Sequence, residues 1–154
     1  MSSGTFTQLH YHVIFAVKFR QGLLAASWRE RLYAYMGGIL TENHHKPLLI
    51  NGVEDHVHLA FGMRPTQALS DLIGTVKRAS SRWVTDARLT PGRFEWQEGY
   101  GGFAVSRSHL SNLLKYIEEQ ESHHQHESFH DEYKRILKQL HIPHDERFLF
   151  KPVQ

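Results

Sequence analysis

The sequence has no cysteine, which removes disulfides and thiolate metal ligands from consideration and fits a reducing, cytoplasmic setting. It has no apolar run near the ~18 residues that a membrane-spanning helix needs, so no membrane partner is expected. Its first residues, MSSGTFTQLH, lack the basic-then-apolar layout of a signal peptide. Excess charge is also scarce. At a formal net charge of +2 the molecule cannot coat nucleic acid by overall attraction, so any such binding must come from a local patch. No repeat, linker or low-complexity tract interrupts the chain. What remains is 154 residues, 40% of them hydrophobic, enough to bury one core and too apolar for a disordered chain. A single domain over residues 1–154 is expected.

Histidine, by contrast, is abundant, with 13 copies. Two of them stand in Asp55-His56-Val57-His58-Leu59-Ala60-Phe61. In a strand, alternate side chains point to opposite faces. His56, His58 and Ala60 then share one face, and Val57, Leu59, Phe61 and Met63 take the other. The apolar face buries, and the second face presents two imidazoles side by side. Neutral imidazole suits Mn, Ni, Co or Zn, and tolerates Mg where oxygen ligands complete the shell. Gln8 to Lys18 reads as the first strand, placed centrally because Val13 to Val17 are continuously apolar. It carries His10 and His12, a second His-x-His. The pattern alone leaves open which pair forms a site, or whether the two strands make a structural cluster.

The remaining elements follow from periodicity. Ser27-Trp28-Arg29-Glu30 has the form of a capping box, and Leu32, Tyr35, Met36, Ile39 and Leu40 recur at helical spacing, predicting a helix to about Asn43. Gly37 and Gly38 within it imply close packing against the sheet. Lys46 to Val53 and His56 to Met63 predict two adjacent antiparallel strands. Gln67 to Arg88 predicts a second helix through Leu69, Leu72, Ile73, Val76 and Trp83. Its interleaved Lys77, Arg78 and Arg82 are candidate phosphate contacts, as is Arg107 further on, although a solvated helix face explains such charges equally. Thr90 to Gly102 predicts a loop, whose Phe94, Trp96 and Tyr100 can stack on unpaired bases or pack the loop down. Phe103 to Val105 predicts a short strand. A long helix follows, capped by Ser106 or Ser108 and running to about His126, then a terminal amphipathic helix from Asp131 to Leu140 and an extended tail after Pro143. The order strand, helix, strand, strand, helix, strand is that of a ferredoxin-like (RRM-like) α+β antiparallel sheet, with helices on one face and further C-terminal helices added.

On the long helix, Leu110, Leu113, Leu114 and Ile117 form one stripe, and Tyr116, Gln120 and His123 a second beside it. If the apolar stripe docks on the sheet, the phenol of Tyr116 and the amide of Gln120 can approach His56 and His58. That would bring a nucleophile and a third neutral metal ligand to the histidine pair.

Three segments together, D-H-V-H-L at Asp55 to Leu59, F-E-W-Q-E-G-Y-G-G-F-A-V-S at Phe94 to Ser106 and L-L-K-Y-I-E-E-Q-E-S-H-H at Leu113 to His124, resemble the single-tyrosine HUH transposases of the insertion-sequence two-hundred/six-hundred-five family. HUH denotes His, hydrophobe, His. The resemblance covers nearly the whole chain in the right order. It implies that His56 and His58 are metal ligands, Gln120 an additional ligand and Tyr116 the nucleophile, with Mg2+ or Mn2+ as the ion and no nucleotide cofactor. It further implies a bacterial or archaeal protein acting as a homodimer on single-stranded DNA with hairpins at insertion-sequence ends, through a covalent 5′-phosphotyrosine. Three other readings stand beside it. One is a REP-associated tyrosine transposase, for which the extended C-terminal motifs are missing. Another is a non-catalytic single-stranded nucleic-acid-binding module using an open sheet, for which the aromatic strand motifs are missing. The third is a zinc hydrolase drawing on His123 to His130, which needs a carboxylate beside the histidine pair that the sequence does not point to.

Overall fold

In the computed structural model, which describes residues 4–145, seven-residue β1 (His10–Ala16) leads through a short 3-10 turn (Lys18–Arg20) to α1 (Arg29–Glu42). There follow β2 (Lys46–Gly52), β3 (His56–Gly62), α2 (Leu69–Asp86), β4 (Gly101–Val105), α3 (Arg107–Glu118), the single turn α4 (Gln120–His123) and α5 (Phe129–Gln139). The strands form one antiparallel sheet in the order β2-β3-β1-β4, the ferredoxin-like topology that the element order implies. β1 is central, paired with both β3 and β4, and this explains its continuous apolar run: both faces of the strand are covered.

Alternation divides the molecule into two cores. Val13 and Phe15 of β1, Val17 just after it, and Val57, Leu59 and Phe61 of β3 meet Leu32, Met36, Leu40, Leu72, Ile73 and Val76 of α1 and α2 in the larger cluster. On the opposite face Ile14, Ala16 and Phe103 pack against Phe129, Tyr133 and Leu137 of α5. The histidines of β1 and β3 lie on this second face. α5 starts where Ser128 caps it, its hydroxyl accepting from Asp131 N at 3.2 Å.

Four local expectations are corrected. Ser27 does not cap α1: Trp28 holds the N-cap position without a side-chain cap bond. Burying the Trp28 indole, 5% exposed, gains about 2–3 kcal/mol against about 1 kcal/mol for a cap. Tyr35 lies outside the core, stacked on Trp83, and its neighbour Tyr33 is buried instead. Gly37 and Gly38 do not mark close packing, since a methyl group added at either meets no atom within 4 Å. Nor is the tyrosine helix continuous to His126. Asn51 on edge strand β2 donates through Nδ2 to the carbonyls of Ile117 (2.9 Å) and Glu118 (3.2 Å), acceptors that the next helical turn would have used, and the chain breaks at Glu119 (φ −95, ψ 23). The extended tail falls largely on residues 146–154, outside those described, and residues 142–145 have no regular structure.

Candidate active site

The break at Glu119 lets α4 turn inward over the histidine face, and α5 closes it from the other side. His56, His58, Gln120 and Glu132 are all fully buried. The imidazoles, expected to be presented openly, are therefore roofed, with the Phe129 ring stacked 4.1 Å from that of His56. At the centre is Glu132 of α5. Its Oε1 lies 3.2 Å from His56 Nε2, 3.2 Å from His58 Nε2 and 3.0 Å from His124 Nε2. Its Oε2 accepts hydrogen bonds from the Tyr116 hydroxyl and, at 3.2 Å, from Gln120 Nε2. Gln120 Oε1 in turn lies 3.3 Å from His56 Nε2. The Tyr116 hydroxyl also accepts from Arg135 Nη2 at 2.9 Å, and Glu127 grips that guanidinium through Nε (3.1 Å) and Nη2 (2.9 Å).

Both strand histidines are oriented from behind. Asp55 Oδ1 accepts from His56 Nδ1 at 2.7 Å, so the Nε2 of His56 points into the cluster. His58 Nδ1 lies 2.8 Å from His12 Nε2, the two rings stacked. Carboxylate oxygens only accept, so a proton on His58 Nε2 faces Glu132 and His58 Nδ1 accepts from His12. The second His-x-His thus splits: His12 supports the site and half-buried His10 takes no part in the cluster.

Burial pushes His58 down to about 4 and His12 down to about 3, so both are neutral at neutral pH. Burial acts on His56 in the same direction, but hydrogen bonds to Asp55 and Glu132 and their negative charges outweigh it and raise its pKa. Burial would raise Glu132, yet the three imidazoles hold it well below the usual carboxylate range. Tyr116 is raised by burial and by Glu132, with Arg135 opposing. The cluster therefore brings together an anionic carboxylate and a protonated phenol.

The donor set fits a divalent ion. Donor atoms of His56, His58, His124 and Glu132 lie within 4.8 Å of one another. Neighbouring ligands around an ion bound at 2.0–2.2 Å are spaced by about 2.8–3.1 Å in an octahedron and about 3.3–3.6 Å in a tetrahedron, and the Oε1-to-nitrogen distances of 3.0–3.2 Å are on that scale. Periodicity brought His56, His58, Tyr116 and Gln120 forward, and all four converge here. Reasoning from sequence missed Glu132 and Arg135, and brought His124 forward only within the His123 to His130 segment of the hydrolase reading. A signal for Glu132 exists: it sits in the stripe Phe129, Glu132, Tyr133, Ile136, Leu137, a lone carboxylate on an otherwise apolar helix face. Glu132 and His124 also supply what the hydrolase reading lacked, a carboxylate beside the histidine pair.

The remaining candidates lie elsewhere. Trp96 is not a free stacking surface. It is 8% exposed, edge-on to Phe15, with Nε1 donating to Ser80 Oγ at 2.9 Å. Tyr100 is half-buried against the larger core. Lys77 is committed to the loop, its ammonium donating to the carbonyls of Gln97 and Gly99, both at 2.7 Å, and burial pushes it down to about 8. Arg78, Arg82 and Arg107 are exposed; Arg78 and Arg82 stand on α2, across the sheet from the cluster, and Arg107 opens α3.

The fold and the cluster define a class: a ferredoxin-like α+β domain with a histidine-carboxylate metal-type site hydrogen-bonded to a tyrosine. The IS200-like transposase family matches residues 5–120, and this chain belongs to that family. It is 31% identical over 123 residues, 76% of this chain and 87% of the relative, to the ISDra2 transposase TnpA of Deinococcus radiodurans. A crystal structure of a candidate transposase from Deinococcus radiodurans R1 superposes with a TM-score of 0.62 at 27% identity, covering 78% of this chain and 96% of that one. A REP-associated tyrosine transposase bound to a REP hairpin shares the fold, with a TM-score of 0.60 at 12% identity over 80% of this chain and 74% of that one. Among the described residues no helix is long and apolar enough to cross a membrane.

Proposed function

We propose that this transposase binds DNA hairpins at insertion-sequence ends and cuts and rejoins single-stranded DNA through a covalent 5′-phosphotyrosine on Tyr116. The observation that carries this reading is the join at Glu132: one carboxylate oxygen meets three imidazoles and the other accepts from the Tyr116 hydroxyl. A nucleophile and a metal-type cluster thus share one buried group. His56 and His58 would hold Mg2+ or Mn2+, with oxygen or nitrogen donors available from Gln120, Glu132 and His124. When bound, such an ion supplies Lewis-acid polarisation of a phosphodiester. The chain's own residues do the rest. Tyr116 is aimed by Glu132 and Arg135, the roof of α4 and α5 limits water, and the tyrosine attacks phosphorus as the bond to the 3′ oxygen breaks. A phosphotyrosine conserves the phosphodiester, so a new 3′ hydroxyl can reverse the step and join different ends without a nucleotide cofactor.

Hairpin substrates, a homodimer and a cytoplasmic bacterial or archaeal setting are supported by the family resemblance. Within one chain, Tyr116 and the histidine pair meet on the same carboxylate. The test is incubation with labelled single-stranded hairpin DNA and Mn2+ or Mg2+, followed by a denaturing gel. Wild type should give a protein-DNA adduct that survives boiling, and Tyr116→Phe none, with hairpin binding retained. Cleavage without an adduct would favour the hydrolase reading that Glu132 and His124 make chemically feasible. Binding without cleavage would favour a non-catalytic module.

A further inference from the structure

Arg135 lies beyond residues 5–120, where the family match ends, yet its Nη2 is 2.9 Å from the Tyr116 oxygen. Its side chain is 38% exposed, and the two bonds to Glu127 fix the plane of the guanidinium beside the phenol. From Arg135 a cavity of about 620 Å³ opens along α5, lined by Lys134, Lys138, His141, Pro143 and His144 among others. In a molecule of net charge +2 this gathers Lys134 and Lys138 beside Arg135, the residue that touches the tyrosine.

Resting on the reading that Tyr116 attacks a phosphodiester, we propose that Arg135 is a catalytic residue contacting the scissile phosphate, and that the basic groove along α5 carries the adjoining single strand. An attacked phosphorus must come within about 3–3.5 Å of the Tyr116 oxygen. In an in-line displacement the leaving oxygen stands opposite the nucleophile, and the two non-bridging oxygens lie around the axis between them. A donor 2.9 Å from the nucleophile is placed to meet one of those oxygens. The guanidinium is always charged, and its planar fork matches phosphate. As the Tyr116 oxygen forms its bond to phosphorus, the bond to the 3′ oxygen breaks. The 3′ oxygen keeps that electron pair and takes up a proton, and the phenol proton departs on the Glu132 side. The charge that builds on the non-bridging oxygens is what Arg135 stabilises.

The test is the single-turnover rate of adduct formation on hairpin DNA with either a phosphodiester or an uncharged methylphosphonate at the cleavage site. Arg135→Ala should slow reaction of the phosphodiester by about 10²–10³-fold, the usual cost of one such donor. It should slow the methylphosphonate far less, because the charge it answers has gone. Equal slowing of both substrates, or of neither, overturns the proposal by making Arg135 a structural tie to Glu127. Should the alanine variant melt early, Arg135→Gln, which keeps much of the side-chain bulk and a hydrogen-bond donor but loses the charge, gives the same comparison. For the groove, Lys138→Ala should lower the slope of log affinity against log salt for single-stranded DNA by about 0.7; an unchanged slope withdraws that part. Wild type that forms no adduct on the phosphodiester overturns the functional reading and the proposal together. Wild type that reacts while Arg135→Ala matches it overturns the proposal alone.

Discussion

Asp55 accepts from His56 Nδ1 at 2.7 Å and is 22% exposed, while the His56 ring is fully buried. Replacing the carboxylate therefore removes charge from behind a ligand ring that water cannot reach. Asp55→Asn keeps an acceptor oxygen, so ring orientation survives and only the donating power of the imidazole falls. Asp55→Ala also leaves a buried N–H unpaired, at a further cost of about 1–3 kcal/mol. Loss of such an outer partner lowers metal affinity about 10–100-fold, or about 1.4–2.7 kcal/mol, with asparagine expected near the lower end and alanine near the upper. Mn2+ titration calorimetry measures this directly. The pH dependence has a definite sign. Metal binds neutral imidazole, and Asp55 is one reason His56 is raised above its ordinary 6.5. Below that raised value the wild-type ring must shed a proton that the variant has already lost. The gap between wild type and Asp55→Asn should therefore be widest above the raised value and narrow as pH falls through it. Affinities for both variants within about twofold of wild type across that range would refute an outer-partner role for Asp55.

Gly38→Ala should stabilise the protein by about 0.5–1 kcal/mol in urea unfolding, since α1 leaves open space there; a loss would reveal a packing contact. Lys77→Ala gives up two bonds that hold the Gln97 to Gly99 loop and should cost about 1–3 kcal/mol of stability, leaving the salt slope of DNA binding unchanged; a fall in slope of about 0.7 would restore its phosphate role. Mixing Tyr116→Phe with His58→Ala should restore no adduct if each chain completes its own site, and recovery would show that the tyrosine serves the partner subunit's histidines.

Features governed by period were legible in the sequence. Alternation alone placed His56 and His58 on one face of β3 and Leu59 and Phe61 on the other, and the continuous apolar run of β1 announced a strand covered on both sides. Spacing brought Tyr116 and Gln120 together, although through a helix break that spacing does not contain: Asn51, 65 residues before Tyr116 in the chain, stops α3 by taking the carbonyls of Ile117 and Glu118. What stayed hidden depended on tertiary closure. Glu132 and Arg135 reach the site only because Phe129, Tyr133 and Leu137 dock α5 on the histidine face, and a glutamate or arginine on a short C-terminal helix reads as solvated until that docking is known. Trp96 and Lys77 show the opposite dependence on tertiary structure: their types suit DNA, but the indole is buried and the ammonium is held by loop carbonyls.

The central claim is that Tyr116 is the residue that becomes joined to DNA. After reaction with hairpin DNA and Mn2+, nuclease trimming and trypsin digestion, mass spectrometry of peptide 116–134 addresses it directly, because that peptide contains both Tyr116 and the buried Tyr133. The account predicts a nucleotide attached through its 5′ phosphate to Tyr116, with a free 3′ hydroxyl on the released strand. A nucleotide on Tyr133 or any other residue, or cleaved DNA with unmodified Tyr116 throughout the time course, would contradict it.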